Sequence, residues 1–204
     1  MQKTKTITLS RVHETTLVAF FSAVAITTST AIIFIPNVET MTFIIFLSGY
    51  LFGKKTGLKV AWVSSFGFEI IASSLMGGFN LIIFIFKIIA YSFIGYSGYL
   101  GAKWEIQKSW EFIPFGIFFA ILYDFLTTVG FTLTYLSLGV NVFLFNLVYS
   151  LTLGFFPFTL FHIIGGAVLF SAIPKVAASI RLAISDLSIE ETIELGSLDP
   201  LTIT

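Results

Sequence analysis

Long apolar runs separated by short polar breaks organise this chain. The runs cover 17–36, 41–53, 57–76, 80–101, 112–136 and 157–174, with a further apolar stretch at 141–154. Between them lie IPNVET, GKKTG, MGGFN, AKWEIQKSW, LSLGVN and GFFP. About 20 apolar residues carry a helix across the hydrocarbon core of a bilayer, and the pattern predicts six such spans. Gly154 and Pro157 are expected to break any continuous helix between the last two apolar stretches. The fold class expected is therefore an all-α integral membrane protein, a six-helix bundle.

The basic residues orient these spans. Lys3, Lys5, Arg11, Lys54, Lys55, Lys59, Lys103, Lys108, Lys175 and Arg181 all fall on one side of the six-span scheme, and the other side has no Lys or Arg. Cytoplasmic loops collect positive charge, so both termini are expected in the cytoplasm of a cell whose plasma membrane holds the chain. Trp104 and Trp110 flank the loop after the fourth span, where interfacial tryptophans belong. Segment 41–53 is the odd one. Thirteen residues reach only about 20 Å as a helix, short of the roughly 30 Å core. With its inner end pinned by Lys54 and Lys55, its outer end stops below the surface and IPNVET dips inward. Irregular backbone at that depth survives where it lines protein or a wet cavity. An ordinary external turn, for which Pro36 and Asn37 are common residues, stays open as the other reading.

Composition narrows the class. The chain has 204 residues, of which 56% are hydrophobic and 11% charged, whereas soluble domains carry about 25% charged residues. Net charge is zero, so nothing points to nucleic acid. Cysteine is absent, which removes disulfides, thiolate metal sites and thiol catalysis together. Three regions are expected: a cytoplasmic N-terminal segment at 1–16, a transmembrane substrate-binding domain at 17–181, and an acidic cytoplasmic tail at 182–204. The start, MQKTKTITLSRVHETTLVAFF, reads as an uncleaved first helix rather than a signal peptide, because the apolar run behind it is long enough to span.

Ionisable groups inside spans are costly and mark sites, pathways or mutual pairs. Four stand out here: Glu69, Lys87, Asp124 and His162. Glu69 and Lys87 are equally far from Gly78 in the MGGFN turn, so an antiparallel hairpin puts them at one depth, about 13 Å from the turn. A structural ion pair and a charged substrate contact both fit that register. Ser65, Glu69 and Ser73 recur on one face of span three, and Asn80, Lys87 and Tyr91 on one face of span four. On span five Asp124 lies with Thr127, Thr128, Phe131 and Tyr135. These stripes predict an outward-facing cavity rimmed by aromatics, although polar helix contacts produce the same pattern. Segment 141–154 is expected to lie over it as a lid, with Asn146 and Tyr149 facing inward. His162 has no second ligand at metal spacing, and a hydrogen bond within the bundle is the favoured reading. No nucleophile elbow, phosphate loop or catalytic carboxylate pair is present. Enzyme activity, a cofactor and a metal are not expected. Ala19 and Ala23 stand one turn apart on span one, a spacing that lets helices approach closely.

The runs IPNVETMTFIIFLSGYLFGKKTGLKVAW and FKIIAYSFIGYSGYLGAKW resemble substrate-binding S components of energy-coupling factor (ECF) vitamin transporters. LYDFLTTVGF and FPFTLFHIIGGAVLF continue the resemblance, which covers about residues 15–181. The nearest branch is the one associated with cobalamin-type cargo. The chain departs from it at Lys54-Lys55, in MGGFN and at Gly165-Gly166. The resemblance implies a six-helix protein that binds a micronutrient from outside. It also implies docking on a transmembrane coupling subunit joined to two cytoplasmic ATPases. Ala19 and Ala23 match the family's Ala-x-x-x-Ala coupling motif, and Asn37, Glu39, Lys87, Asp124 and Asn146 occupy its substrate-contact regions. The residues expected to bind substrate are Asn37, Glu39, Glu69, Asn80, Lys87, Tyr91, Asp124, Asn146, Tyr149 and His162. Two other readings stay open. One is a stand-alone secondary carrier relaying protons through Asp124, Glu69 and Lys87, although no internal repeat is apparent. The other is a scaffold whose polar stripes only pack helices.

Overall fold

The computed structural model describes residues 11–35 and 39–184, and every element among them is helical. Most of segment 1–16, Asn37 and nearly all of the acidic tail lie outside the described residues. In chain order the helices are α1 (Arg11–Ala31), α2 (Thr40–Phe52), α3 (Lys54–Met76), α4 (Leu81–Lys103), α5 (Ser109–Leu133), α6 (Val140–Tyr149) and α7 (Phe155–Ser171). A further helix, α8 (Ile173–Ile184), leaves α7 at a 40° bend. Pro174 stands in its first turn and cannot donate back into α7, which accounts for the bend.

The short second segment is the axis of the bundle. α2 has 13 residues, 11 of them buried, from Met41 to Phe52. A helix apolar on every face belongs inside. Phe46 on α2 gathers Phe170, Phe115, Phe119 and Phe112 at ring-centroid distances of 5.0, 5.6, 5.8 and 6.1 Å. Two glycine seams bring backbones together around this axis. A Cβ on Gly49 would lie 2.1 Å from the Gly95 carbonyl oxygen of α4, and one on Gly98 would lie 2.1 Å from that of Phe46. On the other side, a Cβ on Gly116 of α5 would meet the Gly166 carbonyl of α7 at 2.3 Å. Such close approach gains dispersion contact without needing water to expel, which suits packing in lipid.

A single residue turns α2 into α3. Gly53 has φ 89° and ψ 179°, a conformation that a side chain would strain. At the far end of α3 the chain reverses through Gly77 and Gly78, and Asn80 caps α4 by accepting hydrogen bonds from the Ile82 and Ile83 amides at 3.0 and 3.1 Å. The basic ends of the helices meet at the opposite end of the bundle. There Lys59 pairs with Glu14 at 2.9 Å, the Tyr50 hydroxyl donates to the Ile106 carbonyl at 2.6 Å, and Arg181 lies 5.5 Å over the Tyr50 ring.

Polarity is distributed inside out. Ser22, Ser29, Thr42, Ser48, Ser64, Ser65, Glu69, Thr132 and His162 are buried, while Trp62, Phe66, Ile70, Ile85, Ile89, Phe118, Phe125 and Val168 are exposed. An apolar surface of that extent is foreign to a soluble monomer. Three helical stretches are long and apolar enough to cross a membrane: α3, α4 and Ser109–Leu138, which is α5 with the short 3-10 turn behind it. The bent α7–α8 pair would make a fourth. α1 carries Arg11, His13 and Glu14 within its 21 residues and is not among them, and α2 is too short. Helix length and composition thus support three or four spans where the hydrophobic pattern predicts six.

The segment behind α5 also differs from expectation. α6 is not terminated before α7. It passes through a five-residue π-turn, Ser150–Gly154, directly into α7. Helical backbone thus continues where a break is expected.

Candidate functional site

A cavity of about 190 Å³ lies at the end of the bundle away from the basic helix ends. The C-terminal end of α1 contributes Ser29, the turn behind it Ile32, Ile33 and Ile35, and the start of α2 Glu39 and Met41. Phe68 of α3, Tyr91 of α4, Tyr123 and Asp124 of α5 and His162 of α7 complete the wall. Hydroxyls tie the two ends that form its rim: Ser29 Oγ lies 3.1 Å from Thr40 Oγ1, which donates to Thr28 Oγ1 at 3.0 Å.

Glu39 occupies the N-cap position of α2 in extended backbone, and its side chain does not cap the helix. It turns into the bundle instead, with its side chain 14% exposed. Its Oε1 accepts a hydrogen bond from the Tyr91 hydroxyl. Its Oε2 lies 3.2 Å from His162 Nε2, outside good hydrogen-bond geometry, and has no hydrogen-bond partner despite being fully enclosed. On the other edge of the imidazole, Nδ1 is 2.8 Å from Asp124 Oδ1. The ring is held by Tyr123, edge-on at 5.9 Å and 83°, and Tyr123 lies against Tyr91 at 5.1 Å.

The hydrogen-bond arithmetic of this group is informative. An ionised carboxylate only accepts. A ring carrying one proton therefore donates to one carboxylate and leaves the other without it. A ring carrying both protons bridges the two carboxylates. In either state Glu39 and Asp124 address opposite ring nitrogens, so they do not converge on one ion. Among the described residues no group of three or more His, Asp or Glu side chains is arranged to hold a metal.

Four residues singled out from sequence thus meet at one cavity: Glu39, Tyr91, Asp124 and His162. Glu69 and Lys87 do not line it. They close on each other at 2.7 Å, with side chains 9% and 19% exposed, and neutralise one another between α3 and α4. Asn80 is spent on its cap. Asn146 donates to the Val142 carbonyl of its own helix at 2.8 Å, and Tyr149 is exposed and stacked on Phe145 at 6.2 Å. No residue of α6 is buried. Asn37 lies outside the described residues. Ala19 and Ala23 are both exposed on α1.

Sequence reasoning missed Tyr123, Ser29 and Phe68. Tyr123 adjoins a buried charge in LYDFLTT, and that adjacency is the signal that could have found it. Ser29 and Phe68 belong to helix faces that look like ordinary packing until the bundle is assembled. Comparison with protein-family models, with curated proteins and with solved structures finds no match to this chain.

Proposed function

We propose that the chain is the membrane-embedded substrate-binding component of an ECF-type importer, capturing a vitamin-like micronutrient from outside the cell. In this reading it crosses the plasma membrane with six helical segments and keeps both termini in the cytoplasm. The cavity opens outward, and a coupling subunit with two ATPases drives uptake. The chain itself catalyses nothing.

The observation that carries the reading is the cavity at the end of the bundle away from the basic helix ends. Glu39, Tyr91, Asp124 and His162 converge there from different helices beside Ser29 and Tyr123. Ordinary polar packing between helices consumes hydrogen-bonding groups pairwise, as Glu69 and Lys87 do. Here two carboxylates share one imidazole in the wall of a cavity, an excess of acceptors that suits a ligand. The residue run that resembles S components includes Glu39, Tyr91, Asp124 and His162, and the exposed Ala19 and Ala23 offer close approach to a partner helix.

The secondary-carrier reading links Asp124, Glu69 and Lys87. Their contacts divide them, Asp124 with His162 and Glu69 with Lys87, which favours the binding-component reading. The test is copurification from native membranes. A tagged chain is expected to bring down a coupling subunit and an ATPase pair, and uptake in reconstituted vesicles is expected to require ATP hydrolysis. Gradient-driven uptake by the purified chain alone would replace this reading with the carrier.

A further inference from the structure

We infer that the cavity takes a small organic cation with a flat unsaturated ring, its positive group against the acidic wall of Glu39 and Asp124 and its ring against Tyr123 and Phe68. The inference rests on the reading of the chain as a substrate-binding component and names the class of its cargo.

Charge is the first ground. The wall holds two carboxylates, Glu39 and Asp124, and no Lys or Arg. The nearby intramembrane cation Lys87 is already paired with Glu69 and stands outside the lining. With both carboxylates ionised, the wall carries a net charge of −1 or −2, depending on whether His162 holds two protons or one. A carboxylate-bearing ligand would find His162 as its only cationic partner, and that ring is already engaged by Asp124. An uncompensated negative wall in a site of low dielectric favours a positive ligand strongly.

Geometry is the second ground. Glu39 is held at both oxygens, Oε1 by the Tyr91 hydroxyl and Oε2 3.2 Å from His162 Nε2, so its charge is fixed in the cavity wall beside that of Asp124. Tyr91 is buried behind Tyr123 at 5.1 Å, and the half-buried rings of Tyr123 and Phe68 stand in the wall. Tyrosine faces attract cations through their quadrupoles and give stacking area to flat rings.

Size is the third. At about 190 Å³ the cavity is smaller than the roughly 300–1,000 Å³ typical of sites for drug-sized ligands. A single-ring cation fits that space.

The test uses the full chain purified in detergent and three single-ring probes of similar size: benzylammonium, benzyl alcohol and benzoate. Benzylammonium is expected to bind at least about tenfold more tightly than benzyl alcohol, since a charge-assisted hydrogen bond is at stake. Benzoate is expected to bind most weakly. Glu39→Gln should remove most of the preference for the cation. Tyr123→Leu should weaken cation and alcohol alike and keep their order, so the ranking remains readable if Glu39→Gln fails to fold. Equal or tighter binding of benzoate or benzyl alcohol would overturn the inference, and so would failure of all three to bind at millimolar concentration. An anion preference in a chain that assembles with ATPase partners would sink the cargo class alone. A cation preference in a chain that never assembles with them would sink the importer reading and leave the cargo class standing.

Discussion

Glu69 and Lys87 are 18 residues apart in sequence, and their side chains close to 2.7 Å across the α3–α4 hairpin. Equal distance from the turn places them at one depth, and burial makes each dependent on the other. Glu69→Gln or Lys87→Met alone is expected to lower stability by about 3–5 kcal/mol, because each leaves a buried charge uncompensated. The double variant should recover most of the loss. Thermal unfolding of the three variants in detergent checks this, and additive losses would mean that the residues are not coupled.

His162 stands between two carboxylates. His162→Phe keeps the ring volume but leaves Glu39 and Asp124 without their shared partner. A destabilisation of about 3–5 kcal/mol is expected. Asn146→Ala should stay within about 0.5 kcal/mol of the parent, as exposed substitutions usually do, because its amide only bonds back to its own helix. A large effect of Asn146→Ala on ligand binding would return α6 to the site.

The glycine seams give a graded series. Gly49→Ala would drive a methyl group to 2.1 Å from a backbone oxygen of α4, whereas at Gly101 the nearest atom is the tip of Phe46 at 3.3 Å. Overpacking costs about 1–3 kcal/mol and more where backbone must move. Gly49→Ala and Gly116→Ala are thus expected to reduce the yield of monodisperse protein sharply, and Gly101→Ala only slightly. Size-exclusion profiles of the three variants decide it.

Ala19 and Ala23 are exposed on α1. Ala19→Trp and Ala23→Trp are expected to leave the unfolding temperature and cavity binding unchanged while abolishing copurification with a coupling subunit. Equal loss of folding and assembly would show that these alanines pack the bundle itself.

Orientation is open to direct labelling in a cysteine-free chain. Gly77→Cys, at the exposed α3–α4 turn, is expected to react with an impermeant maleimide from outside intact cells. Lys55→Cys should react only after the membrane is opened. The reverse pattern would invert the topology.

Much of this was legible along the chain. The hydrophobic pattern places α2 within one residue of its observed bounds, because a short apolar run ending at Gly53 has little freedom in where to stop. The Glu69–Lys87 register was legible because a helical hairpin maps sequence distance onto depth. The shortness of α2 offered an inward Glu39 as one of two readings beside an external turn, and Glu39 lines the cavity. The glycine seams were not legible, since they depend on which distant helices pack face to face. Nor was the π-turn, where a local break signal yields to continuous backbone. The span count differs because an apolar run does not reveal whether its helix faces lipid or, like α2, lies wholly within protein.

The confinement of α2 has an entropic consequence. A helix held on every side has few alternative positions, and Glu39 stands at its first turn with one oxygen fixed by Tyr91. A carboxylate so restrained surrenders little further freedom when cargo arrives. Most of the ordering cost of that contact was met when the chain folded. Affinity gained this way comes from preorganisation, and a substitution that loosens α2 weakens binding without touching the ligand.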